Sequence, residues 1–97
     1  MSEPITHVKG MHPVDVSAWH RLMDEAFVRL WWHDDDTVTI ELDATAAADV
    51  RERLVELVSA QRRRGGSLRW RVRRRGSRLR LQVHGRGATD TIATLAY

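Results

Sequence analysis

The chain has no cysteine, which excludes disulfides, thiolate metal sites and cysteine nucleophiles. It has one lysine, Lys9, so fifteen of its sixteen basic residues are arginine. No apolar run approaches the roughly 18 residues a membrane span needs. The opening MSEPITHVKG lacks the basic-then-apolar pattern of a secretory signal, so the expected location is cytoplasmic. The five histidines fall outside HxxxH or HExxH spacing, and the glycines form no phosphate loop. No calcium-loop spacing accompanies His33-Asp34-Asp35-Asp36, which reads as a solvated turn. His20 and Asp24 share a helix face, but no nucleophile or second catalytic group stands beside them. The expectation is a protein that is not an enzyme and uses neither cofactor nor metal.

At 42% hydrophobic and 30% charged, the 97 residues have globular composition and form one domain, residues 1–97. The net charge of +3 conceals a split. Residues 1–61 carry five basic and twelve acidic side chains, a net of −7. Residues 62–97 carry eleven arginines against Asp90 alone, a net of +10. A GC-rich coding bias accounts for arginine over lysine, but not for eleven arginines in one segment.

Residues 4–11 suit a short edge strand. From Val16 to about Trp31 the helical period places Val16, Trp19, Met23, Ala26, Phe27 and Leu30 on one face. Trp31 falls at the margin of that face, and Trp32 points away from it with Val28. TVTIEL alternates as a half-buried strand, with Val38, Ile40 and Leu42 inward. A second helix, capped by Asp43 or Thr45, runs to about Arg64 on Ala47, Val50, Leu54, Leu57 and Val58. Arg62, Arg63 and Arg64 complement its dipole, and Gly65 suits the position after its end.

A β-hairpin follows. Leu68, Trp70 and Val72 alternate with Arg69, Arg71 and Arg73. Beyond a turn near Arg74 to Ser77, Leu79, Leu81 and Val83 alternate with Arg78, Arg80 and Gln82. A two-residue loop at either 75–76 or 76–77 preserves the parity, leaving one apolar face and one arginine face. Like charges paired across strands cost up to about 1 kcal/mol each, so their repetition suggests a compensating use. Residues 89–97 suit a strand, a short helix or a docking tail.

The expected fold is α+β: a two-layer α/β sandwich of (β)αβαββ order, two helices packed on one face of a small sheet with a basic C-terminal hairpin. That order is similar to the archaeal chromatin protein Alba and to the C-terminal domain of bacterial translation initiation factor three, both of which meet nucleic acid. Residues 67–84 resemble the extended basic hairpin of Alba. The bacterial sulfur carriers have a similar order, and Gly10-Met11-His12-Pro13 and Asp43…Asp49-Val50 sit where their motifs lie. His12 stands in place of their sulfur-bearing cysteine, so their transfer activity does not carry over.

The candidate anion-binding residues are Arg62, Arg63, Arg64, Arg69, Arg71, Arg73, Arg74, Arg75, Arg78 and Arg80. Guanidinium forks match phosphate geometry, so the first expectation is a small binding module that grips a nucleic-acid backbone. The alternative is an interaction or assembly domain whose arginines meet an acidic protein surface, including its own acidic half. Trp32 and Val28, off the predicted core face, are the candidate interface residues, and a homo-oligomer is a possible outcome. With core parity, Trp70 cannot serve as a stacking platform on the outer sheet face, which argues against recognition in the RNA-recognition-motif manner.

Overall fold

The computed structural model describes residues 13–96, so the strand expected at 4–11 lies outside the described residues. Three helices and four strands follow in the order αββαββα: α1 Pro13–Ala26, β1 Phe27–Asp34, β2 Thr37–Asp43, α2 Val50–Arg64, β3 Arg69–Arg75, β4 Arg78–His84 and α3 Ala88–Ala96. The α+β class, the helices stacked against a small sheet and the C-terminal hairpin are as the sequence implies. The element order differs in two places. The predicted first helix stops at Ala26, and its last turn and a half is instead strand β1. Residues 88–96 form a third helix.

The four strands make one antiparallel sheet in the order β1-β2-β4-β3. Register follows from side-chain parity, because a one-residue slip would turn the whole apolar set of a strand toward water. Val38, Ile40 and Leu42 of β2 lie beside Val83, Leu81 and Leu79 of β4, all fully buried. The hairpin turns at Gly76–Ser77, which pairs Arg73 with Arg80 and Arg75 with Arg78. Gly76 supplies the positive φ of 61° that this two-residue turn requires. All seven residues of β4 also pair with β2, so the hairpin lies flush in the sheet and does not project from it as an arm.

All three helices cover one face. α1 lies centrally, touching both other helices and β1 and β2, while α2 packs on β3 and α3 on β2. Val16, Trp19, Leu22, Met23 and Ala26 form the buried stripe of α1. Trp19 stacks on Trp70 of β3 with ring centroids 5.7 Å apart. α2 starts at Val50 rather than near Asp43, because Asp43 is used locally: its Oδ1 accepts from the Thr45 amide and hydroxyl. Arg62 to Arg64 occupy its last turn, and Gly65 follows at φ 77° with its N–H donating to the Arg62 carbonyl.

Two contacts fix α3. His20 Nε2 of α1 hydrogen-bonds the Thr94 carbonyl at 2.8 Å, tying the ring to α3. Thr89 donates to the Asp35 carbonyl in the β1–β2 turn. Gly85 leads from β4 into α3 at φ 135°, where a Cβ would stand 2.8 Å from the Ser67 carbonyl oxygen. Both the backbone conformation and the close approach restrict this position to glycine.

Candidate functional site

The sheet face opposite the helices carries seven arginines from three strands: Arg29, Arg69, Arg71, Arg73, Arg75, Arg78 and Arg80. Their alternate neighbours Trp70, Leu79, Leu81 and Val83 are buried under the helices, so the guanidinium groups project from a fixed backbone. The face falls into two electrostatic halves.

The first half centres on Glu41 of β2. It is 5% exposed although it lies on the open face, because its neighbours fold over it. Arg80 Nε donates to Glu41 Oε2 at 3.1 Å, Arg29 approaches at 3.4 Å and Arg78 at 3.9 Å. Burial pushes the Glu41 carboxyl up, but the Arg80 hydrogen bond and the Arg29 charge outweigh it. The net result holds the carboxyl below the ordinary glutamate value. Trp31 adds an aromatic wall: the guanidinium carbons of Arg29 and Arg80 lie 4.9 and 5.6 Å from its ring centroid. Two further polar pairs roof β2. His33 Nε2 and Thr39 Oγ1 share a hydrogen bond of 2.8 Å, and His84 Nδ1 and Thr37 Oγ1 share another.

The second half is β3. Among the described residues, Arg69, Arg71, Arg73 and Arg75 have no carboxylate within 4 Å. All four are exposed. Two shallow depressions occupy the face between the edge strands. One, of about 230 Å³, lies between Trp31 and His33 on one side and Arg71 and Arg73 on the other. Its neighbour, of about 280 Å³, is bounded by Thr37, Arg69 and His84. They share Arg71 and Gln82.

Of the ten arginines singled out in the sequence, six therefore lie together on this face: Arg69, Arg71, Arg73, Arg75, Arg78 and Arg80. The other four do not join them. Arg74 has core-side parity opposite Leu79, and its Nε donates to the Gly76 carbonyl at the hairpin turn. Arg63 and Arg64 line the cleft between α1 and α2, where Arg64 meets Asp15 at 2.8 Å. Arg62 donates to the Trp70 carbonyl at the edge of β3. Val28 is half-buried, whereas Trp32 is exposed on edge strand β1. The HDDD segment comprises the end of β1, His33 and Asp34, and the β1–β2 turn, Asp35 and Asp36, with the Asp36 amide donating to Asp34 Oδ1 at 2.8 Å. That bond holds the Asp34 carboxyl below its ordinary value.

Arg29, Trp31 and His33 are site residues that the periodicity analysis misses, whereas Glu41 is placed on the open face by its alternation but not marked as part of a site. A helix through Trp31 puts Arg29 and Trp31 on the wrong element, and reading His33 as part of a turn takes it off the strand. The overlooked signal is composition: FVRLWWH is rich in aromatic and β-branched residues, which favour a strand. Trp70 is buried, as its parity implies, but Trp31 stands on the open face, so that face does carry an aromatic side chain.

No protein-family model, curated protein or solved structure matches the chain. The site defines a class by its geometry alone: an antiparallel sheet with an arginine-lined outer face.

Proposed function

We propose that the protein is a non-enzymatic module that binds the phosphate backbone of nucleic acid on its open sheet face. The observation that carries this reading is the row Arg69, Arg71, Arg73 and Arg75, four exposed guanidinium groups with no carboxylate partner among the described residues. Alternate residues of a strand stand roughly 6.6 Å apart, so the four guanidinium groups are strung along about 20 Å of fixed backbone. Each guanidinium can fork onto a phosphate with two parallel hydrogen bonds.

Engaging four phosphates gives a slope of log K against log salt of about −3 to −4. Between 50 and 200 mM salt, affinity for a labelled oligonucleotide should therefore fall about a hundredfold in an anisotropy titration. Failure to bind any DNA or RNA at 20 mM salt would sink the reading.

A second reading, a protein interface, is favoured by one observation. Phe27 and Trp32 are 42% and 43% exposed on β1, which is an edge strand among the described residues. Self-association through the acidic helix layer has less support, since Glu25 and Asp49 already meet Arg53 and Asp15 meets Arg64. On the interface reading, light scattering should show a concentration-dependent oligomer that Trp32→Ser dissolves. A monomer at every protein and salt concentration counts against a homo-oligomer.

A further inference from the structure

We infer that the ligand of the open face is single-stranded nucleic acid, one of whose bases stacks at Trp31 while its backbone runs along the β3 arginines. This inference rests on the proposed nucleic-acid reading and names the form of the ligand.

Two observations separate single strand from duplex. The first concerns reach. A β-ribbon reads duplex DNA by entering the major groove, which admits an element two strands wide. Here every residue of β4 is paired on one side with β3 and on the other with β2. The hairpin cannot enter a groove without tearing β4 from β2. A four-stranded sheet face touches an undistorted duplex only along its outer phosphates, and reaches its bases only where the DNA is bent open at the minor groove.

The second concerns what lies between the strands. The depression of about 230 Å³ is lined by the aromatic side chains Trp31 and His33 on one side and by the guanidinium side chains of Arg71 and Arg73 on the other, with Arg80, whose guanidinium carbon lies 5.6 Å from the Trp31 ring centroid, between them. Gln82 lines it as well and offers both a donor and an acceptor. Unstacked bases are held by this combination of aromatic faces, guanidinium planes and amide hydrogen bonds. A duplex keeps its bases stacked inside and has no use for it. The adjoining depression, sharing Arg71 and Gln82, continues the path along the sheet past Arg69 and His84 and gives a second nucleotide a place.

Trp31 is half-exposed, and Arg29, which covers part of its ring, is itself 60% exposed and only 3.4 Å from Glu41. An incoming base can displace this weakly held guanidinium, which is then available to a phosphate. Arg80, with its shorter bond to Glu41, stays as the inner wall.

The test compares a twelve-nucleotide single strand with the duplex of the same sequence, at 50 mM salt, against the full-length protein and its Trp31→Ala and Trp31→Phe variants. The single strand should bind the unaltered protein about tenfold more tightly than the duplex. Loss of one stacked base weakens binding by about tenfold. Trp31→Ala should therefore lose that preference, whereas Trp31→Phe should restore most of it. Thermal melts of all three proteins exclude unfolding as the cause, and Trp31→Phe retains the ring if the alanine variant fails to fold. Equal affinity for both forms, unchanged in Trp31→Phe and Trp31→Ala, overturns the single-strand inference and leaves backbone binding in place. Absence of binding to either form defeats the nucleic-acid reading itself. Tighter binding to a polyglutamate peptide than to either nucleic acid overturns both in favour of an acidic protein partner.

Discussion

Replacing Arg71 and Arg73 together with glutamate should lower nucleic-acid affinity about a hundredfold at 0.1 M salt and leave the fold intact. Each phosphate contact contributes a salt slope of about 0.9, or close to one decade of affinity at 0.1 M relative to 1 M. Two lost contacts therefore account for about two decades, and reversing the charge adds repulsion to that loss. The fold should survive because both side chains are exposed and neither has a carboxylate partner among the described residues. Arg73 also lies directly opposite Arg80. A glutamate there replaces a like-charge pair with an attractive one, so the melting temperature should hold or rise slightly. Arg80 is unsuitable for the same experiment, because a second carboxylate beside Glu41 would strip it of its best partner. A double variant that binds within threefold of the parent, with an unchanged melt, would show that the β3 arginines are not the site.

The choice of Arg71 and Arg73 over Arg80 depends on a distinction that charge and parity do not contain. Parity identified the arginine face because period two persists whichever loop closes the hairpin, and the fully buried Leu79, Leu81 and Val83 enforce it. The same reasoning captured β2. It failed at residues 27–34 because Phe27 and Leu30 continue the helical stripe begun by Val16, Trp19 and Met23. No glycine or proline marks the end of α1, which passes into β1 without a loop. The error hid the pairing of Arg29 with Glu41 and of Trp31 with Thr39, and with it the aromatic part of the site. Glu41 itself alternates correctly outward in the sequence. What no local pattern reveals is that three arginines from two other strands converge on it and leave it buried. That fact depends on the strand order β1-β2-β4-β3, which separates the occupied arginines of β1 and β4 from the unoccupied ones of β3.

Glu41→Gln should then expose a conflict between stability and binding. The carboxylate is the counter-charge of Arg29, Arg78 and Arg80, and glutamine retains its shape without that charge. Removing one partner of a fully buried ion pair costs about 3–5 kcal/mol. The three guanidinium side chains here are 33–60% exposed, and water screening reduces the loss to about 1–2 kcal/mol. For a domain of this size that corresponds to a fall in melting temperature of about 5–15 °C. The deficit should depend on pH in a defined direction. The Glu41 carboxyl is held below its ordinary value in the fold, so its stabilisation is complete above about pH 4.3 and fades as pH falls through the lowered value. The melting curves of parent and variant should accordingly converge in acid and stand apart at neutral pH. Binding should move the other way. Removing one negative charge from the centre of the face and releasing up to three guanidinium groups should raise affinity for an anionic strand about tenfold at low salt, with a steeper salt slope. A variant that loses stability without gaining affinity would mean that Arg29, Arg78 and Arg80 serve only the fold. An unchanged neutral-pH melt would mean instead that Glu41 holds none of them.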